Sequence, residues 1–432
     1  MKLKSQPDDF QVEELTSVRP SRGPFAFYRL EKRGIGTPEA VSAILRDWNL
    51  PRNSLSYGGL KDRHAVTSQY LSIHKGPSLS HEDRSYRLQY LGQIPHPYHA
   101  RDIQANRFEI CLRNLSPEEN KAIERRCESV GSVGVVNYFD DQRFGSIGYS
   151  GDLIGASWCK GDYERTLFLA MAEENPHDRG REREQKELMR KHWGEWIHLK
   201  QVLDRSHRRS VVTYLCDHPT DFKRAVALIR QDMRSIYLAA FQSWVWNRWL
   251  SALIDESLAS DSRISIPSKC GPLSIPCVAG PSGAIPSSVR ELQRMELPLP
   301  SARQKDWDPA TLPSLDKILA ELGMERREMR LKYPRDTFFS KGTRQAWLKP
   351  GGFQSKWEND ELNNRKLAVR LAFELPKGCY ATMVVRAIAT DQMSVPEWDE
   401  SENDSEEESP NGVSQELSPE QVNSESEPSD QY

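Results

Sequence analysis

Leu367, Val369, Leu371, Phe373 and Leu375 occupy alternate positions late in the chain, a period of two that suits a β-strand buried on one face. Such a strand needs neighbours. Similar alternation lies far upstream, where Phe108, Ile110 and Leu112 interleave with Glu109, Cys111 and Arg113. Between the two the rhythm changes: from 221 to 254, Val226, Ile229, Met233, Tyr237, Ala240, Phe241, Trp244 and Val245 fall on or near one helical stripe. The middle of the chain therefore reads as an insertion into a sheet-containing domain whose final strands come after it, and the fold class is α+β.

Local signals fill in this outline. Thr37-Pro38-Glu39 predicts a helix with Thr37 as N-cap and Pro at the first helical position, running to about Asn49. Ser116-Pro117-Glu118-Glu119 repeats that logic with a capping-box Glu and predicts a helix that stops by Gly131. Pro376-Lys377-Gly378 after the alternating run predicts a hairpin, with CYATMVVRAI as the returning strand. Residues 177 to 210 are rich in Arg and Lys, and 261 to 315 read as loop. The segment 396–432, rich in Ser, Glu and Pro, has almost nothing to bury and is expected to be disordered.

That tail also hides the charge of the rest. It holds 13 of the 62 acidic residues and no Lys or Arg, so residues 1–395 carry 59 basic against 49 acidic side chains, an excess of about ten. A basic body attracts polyanions. Seven cysteines at 111, 127, 159, 216, 270, 277 and 379 form no CxxC pair or zinc-ligand spacing, so reduced thiols are expected. The first residues lack the apolar run of a signal peptide, and no stretch approaches a membrane-spanning length, which points to the cytoplasm.

Two stretches concentrate chemistry. Tyr57-Gly58-Gly59-Leu60-Lys61-Asp62-Arg63-His64 sets a carboxylate between two cations just after a glycine pair, an arrangement that suits a nucleophile or base charged at neutral pH. It is no phosphate loop, because Gly-Lys-Ser/Thr is missing. The second, Asn137-Tyr138-Phe139-Asp140-Asp141-Gln142-Arg143-Phe144-Gly145, gathers the aromatic, amide and guanidinium groups that stack on a flipped base, bond its edge and hold a phosphate. Read alone, the first also fits an exposed turn and the second a buried aromatic corner.

Together these stretches resemble the TruD family of pseudouridine synthases across most of residues 1–395. Pro7-Asp8-Asp9-Phe10-Gln11-Val12-Glu13-Glu14 is similar to the family's N-terminal strand, and Leu30-Glu31-Lys32-Arg33-Gly34 with Thr37 to its next segment. Gly59-Leu60-Lys61-Asp62-Arg63-His64-Ala65-Val66-Thr67 resembles the catalytic motif, and Asn137-Tyr138-Phe139 with Gln142-Arg143-Phe144-Gly145 the NYF...QRFG motif. Ala240-Phe241-Gln242-Ser243 with Asn247 and Leu250 is similar to a helix of the inserted domain, and Leu375-Pro376-Lys377-Gly378-Cys379-Tyr380-Ala381-Thr382 to the closing LPxGxxAT segment. Between Gly92 and Arg107 the chain departs from the family's more basic pattern.

The resemblance implies a catalytic domain from 1–154 and 332–395, built on a mixed, largely antiparallel sheet flanked by helices and interrupted by an inserted α/β domain at 155–331. It implies isomerisation of uridine to pseudouridine in tRNA, at uridine 13 of the D arm, without metal or other cofactor and without an obligate protein partner. Asp62 would be the catalytic carboxylate, attacking C1′ or removing a proton from C2′. Phe139 would stack on the target base and Asn137 would help to position Asp62. Lys61, Arg63 and Arg143 are the candidates for its basic partner and for substrate contacts. The Arg-rich stretch around Arg179 to Arg190 could bind phosphates or be a solvated helix face. A non-catalytic RNA-binding protein on the same fold is the alternative, and a metal-dependent hydrolase lacks a ligand cluster in the sequence.

Overall fold

The computed structural model describes residues 1–277 and 285–389; the acidic segment 396–432 lies outside the described residues. Ten strands form one sheet: β1 (Lys2–Leu3), β2 (Phe10–Thr16), β3 (Phe25–Arg33), β4 (Leu55–Tyr57), β5 (Val66–His74), β6 (His81–Glu82), β7 (Tyr86–Ile94), β8 (Ile103–Leu115), β9 (Gly351–Asn359) and β10 (Leu367–Pro376). Their spatial order is β9-β10-β8-β2-β5-β3-β7-β6, with β1 on β8 and β4 on β5. Every pair is antiparallel except β2 with β5, so the sheet is mixed and largely antiparallel.

The alternation in the sequence sets which face of β10 is buried. Val369, Leu371, Phe373 and Leu375 are buried while Arg370, Ala372 and Glu374 are partly exposed. The buried set packs with Phe108, Ile110 and Leu112 of β8 beneath α2 (Pro117–Ser132) and a late helix over Ala381–Ala389. Each such side chain, once fully buried, contributes roughly 1.5–3 kcal/mol. Helix α1 (Thr37–Asp47) covers β3, β5 and β7 through Ala40 and Ile44.

Several local expectations change. The late helix stands where a returning strand was expected, because Ala381, Met383, Val384, Val385 and Ile388 bury one helical stripe; the partner of β10 in its hairpin is the preceding β9. The N-cap of α1 is Gly36, and Thr37 begins the helix with its hydroxyl turned to Gln69. Ser116 does cap α2 with Glu119 in a capping box. The helical pattern from 221 breaks at Ile229–Arg230 into Phe222–Leu228 and the long α3 (Gln231–Ser257). The segment 261–315 contains a two-stranded hairpin, Arg263–Ile266 with Leu273–Pro276, and a helix over Ser287–Arg294.

Helix α3 is the axis of the middle of the chain. Trp246 and Trp249 are fully buried, with indole N–H groups donating to the Leu297 and Thr311 carbonyls. Their cluster also takes in Tyr138, Phe144, Trp347 and Met383, so a continuous core joins this middle part to the segments that flank it. Val135–Val136 pairs with Trp347–Leu348 where the chain leaves and re-enters. Among the described residues no helix is long and apolar enough to cross a membrane, and the cysteines are free.

Candidate active site

The loop that carries Asp62 links β4 to β5 and is fastened from below. A Cβ on Gly58 would lie 2.6 Å from the Ile103 side chain, so only glycine lets the backbone pass so close. Gln69 Nε2 donates to the Gly59 carbonyl at 3.1 Å, and the Lys61 backbone N–H donates to Thr37 Oγ1 at 3.0 Å. Thr37 and Gln69 are both fully buried and bonded to each other at 2.8 Å. Lys32, itself buried, donates from Nζ to the carbonyls of Ile35 (2.8 Å), Lys61 (3.3 Å) and Asp62 (2.7 Å). Burial pushes the Lys32 ammonium down to about 8, against the opposing pull of Asp62 and Glu39.

Held in this way, the Asp62 side chain is 36% exposed and accepts from Lys4 Nζ at 2.9 Å. Lys4 is only 10% exposed and also lies 4.0 Å from the centre of the Phe10 ring. The ion-pair partner of the carboxylate is thus Lys4, a residue the sequence reading did not single out. Lys61 turns inward, bonding Asn106 Oδ1 at 2.6 Å and pairing with the buried Glu14 at 3.1 Å, and Glu14 also accepts from the Tyr98 hydroxyl at 2.8 Å. Arg63 is exposed and sits 3.7 Å from Glu39. Neither cation that flanks Asp62 in sequence pairs with its carboxylate, because Lys61 turns to Glu14 and Arg63 to Glu39.

The second stretch follows a tight turn. Gly134 has φ +96°, and a Cβ there would collide with the Leu348 carbonyl. Phe139 is then clamped by Asn247 of α3, which donates to its carbonyl at 2.8 Å and accepts from its N–H at 2.9 Å. Its ring meets Trp246 and Tyr380 edge-on, with centroids 5.5 and 6.3 Å away. The Arg344 guanidinium lies 4.1 Å from the ring centre and so covers one face, and Arg143 lies 5.8 Å away. Asn137 makes no hydrogen bond to Asp62. Its amide donates to the Gln345 carbonyl at 2.9 Å and its Oδ1 accepts from Arg344 at 2.7 Å, because its strand pairs across to 347–348 rather than toward the Asp62 loop. Asp141 is taken up by Ser268, the Lys269 N–H and Arg386.

No hydrogen bond or ion pair among the described residues joins Asp62 directly to Asn137, Phe139 or Arg143. The two stretches are linked through the sheet. Asn106, which holds Lys61, stands opposite Leu375 in the β8·β10 register, and three residues beyond Leu375 the Gly378 carbonyl accepts from Arg344 at 2.8 Å. Part of the Arg-rich stretch is neutralised at home: Arg181 pairs with Asp204, Lys186 with Asp178, Arg190 with Glu174 and Arg208 with Glu182. Sequence reasoning missed Lys4, Lys32, Gln69 and Arg344. Only the apolar neighbourhood of Lys32 in β3 hinted that any of them was buried.

Comparison with known proteins agrees with this architecture. The family model for tRNA pseudouridine synthase D (TruD) matches residues 1–270. The chain is 28% identical over 408 residues to "Probable tRNA pseudouridine synthase D 1" of Methanococcus maripaludis, covering 90% of this chain and 99% of that protein. It is 28% identical to tRNA pseudouridine synthase D of Leptospira interrogans, covering 89% and 95%, and 25% identical to that of Aquifex aeolicus, covering 90% and 98%. A crystal structure of a Methanosarcina mazei protein assigned to TruD superposes with a TM-score of 0.67 at 23% identity, over 90% of this chain and 93% of that one, and shares the fold.

Proposed function

Because the chain belongs to the tRNA pseudouridine synthase D (TruD) family, we propose that it isomerises uridine to pseudouridine in tRNA, at uridine 13 of the D arm, with Asp62 as the reacting carboxylate. The observation that carries the assignment is the setting of Asp62: a half-exposed carboxylate paired with Lys4 on a loop whose backbone is bonded by Thr37, Gln69 and Lys32. Such anchoring holds the reacting oxygens still, and orientation of this kind supplies much of the rate enhancement of enzymes. The reaction breaks the C1′–N1 bond, turns the base and joins C1′ to C5, so reactant and product have the same composition and no redox or group-donating cofactor is called for. Asp62 attacks C1′ or takes a proton from C2′, as carboxylates do beside glycosidic bonds.

Phe139, partly exposed beside Arg344 and Arg143, receives the extruded base. Lys61 and Arg63 serve the site from its edges, Lys61 by bracing the loop through Glu14 and Asn106 and Arg63 from its exposed position beside Glu39. Residues 1–154 and 332–395 form the catalytic domain, and 155–331 form the opposite wall of an RNA cleft. A tRNA substrate fits a cytoplasmic location.

The test is Asp62→Asn assayed on unmodified tRNA transcripts without added cofactor, with pseudouridine mapped chemically. Turnover should vanish while tRNA affinity stays within a few-fold of wild type. An Asn variant that converts uridine normally would overturn the assignment of Asp62. A wild type that binds tRNA and converts none would instead favour a non-catalytic RNA-binding role.

A further inference from the structure

Burying a guanidinium without a counter-charge is costly, and this protein elsewhere avoids it. Arg113 and Arg234, the most deeply buried arginines among the described residues, are matched by Asp9 with Asp360 and by Asp336 respectively. Arg344 is an exception. It is partly buried among Phe139, Trp246 and Tyr380, with its guanidinium carbon 4.1, 5.5 and 6.0 Å from their ring centres. Its hydrogen bonds all go to neutral oxygens: the Asn137 carbonyl at 2.9 Å, Asn137 Oδ1 at 2.7 Å, the Tyr138 carbonyl at 3.3 Å and the Gly378 carbonyl at 2.8 Å.

Arg143 approaches the same Phe139 ring at 5.8 Å, and its one side-chain bond is from Nε to Ser243 Oγ at 3.4 Å. No carboxylate pairs with either arginine among the described residues. The remaining titratable neighbours, Cys379 and Tyr380, are pushed up by burial and stay neutral near pH 7. The surroundings thus leave two positive charges uncompensated beside an aromatic wall.

We infer that Arg143 and Arg344 form an electropositive pocket that stabilises the negative charge carried by the uracil while it is detached from the ribose. The inference rests on the synthase reading above. When the C1′–N1 bond breaks, its electron pair stays on the base; when C5 joins C1′ that pair becomes the new bond, a proton leaves C5 and one arrives at N1. Between those events uracil is a flat, delocalised anion. Flat rings and a guanidinium held by carbonyls suit it better than they suit a tetrahedral phosphate, which would be met at an exposed fork. Arg344 acts as a fixed charge because carbonyls occupy most of its donors, whereas the terminal nitrogens of Arg143 remain to meet a uracil oxygen.

The test uses full-length Arg344→Gln and Arg143→Gln in single-turnover reactions on tRNA carrying uridine or 5-fluorouridine at the target position. Fluorine withdraws electrons and stabilises the base anion by itself; it also blocks the final proton loss, so consumption of 5-fluorouridine is followed. On uridine each variant should slow the reaction on the order of 10²-fold, as loss of one preorganised donor does, with tRNA Kd shifted no more than about threefold. On 5-fluorouridine the loss should shrink to roughly tenfold or less. If Arg344→Gln fails to fold, as melting would show, Arg143→Gln carries the comparison. Equal losses on both substrates, or a loss matched by weakened tRNA binding, would overturn the pocket while leaving Asp62 untouched. A wild type inactive on uridine would overturn the synthase reading and this inference with it.

Discussion

Replacing Lys32 with methionine removes a buried ammonium that serves three carbonyls, two of them in the Asp62 loop. Two opposing quantities decide the outcome. Lowering the lysine from 10.5 to about 8 means that keeping it charged at neutral pH costs about 3 kcal/mol, at 1.36 kcal/mol per pKa unit. Three hydrogen bonds from a charged donor return roughly 1.5–3 kcal/mol each. Methionine loses the second quantity and recovers the first, so Lys32→Met should destabilise the fold by about 1–6 kcal/mol. Activity should fall as well even where the fold survives, because the loop is free to shift, and a displacement of about 1 Å at the reacting atoms costs on the order of 10²-fold in rate. The sign of the pH dependence follows from the same shift. The folded-state value lies below the unfolded one, so between pH 8 and 10.5 the unfolded chain binds more protons and the contribution of Lys32 to folding improves as pH rises. Catalysis moves the other way: above about pH 8 a neutral amine has two donors for three carbonyls, and the single-turnover rate should decline. Thermal melts and single-turnover rates from pH 6.5 to 9.5, on wild type and variant side by side, measure both. A Lys32→Met enzyme within threefold of the wild-type rate, or one with the same difference in stability at every pH, would refute the reasoning.

Phe139→Ala should weaken both tRNA binding and turnover, since base stacking is worth roughly 1–3 kcal/mol; unchanged Kd and rate would remove Phe139 from the site. Arg113→Ala leaves Asp9 and Asp360 buried and unpaired, and should cost about 3–5 kcal/mol in urea unfolding. For Asp360, burial raises the carboxyl, but the Asn114 and Leu362 N–H groups, Asn363 and Arg113 outweigh it and hold it at about 2. Its stabilisation is complete above pH 3.8 and lost as pH falls through 2, so Asp360→Asn should flatten the acid limb of the stability curve. Reversing Arg181 and Arg190 should change the slope of log K against log salt by less than about one, because both already face acidic partners.

Candidate site residues could be named where they stand in consecutive residues. Asp62 behind its glycine pair and Phe139 in its aromatic run lie in local motifs, and the alternation in β10 identified its buried face before its pairing was known, whereas in β8 Cys111 and Arg113 on the opposite side are buried as well. Local patterns were less decisive where two structures fit the same residues. After Pro376 a strand and a helix both bury apolar side chains, and contact with α2 selects the helix. The partners of these candidate groups could not be read from the sequence. Lys4 and Asp62 are 58 positions apart, and Arg344 and Asn137 are 207 apart. Motif adjacency suggested Lys61 or Arg63 for Asp62, but neighbouring side chains on a loop diverge, whereas strand order brings distant ones together. A sequence specifies which groups are available; which carbonyl, carboxylate or ring each one meets depends on the register of the sheet and the packing of α3, and those are set by the whole chain.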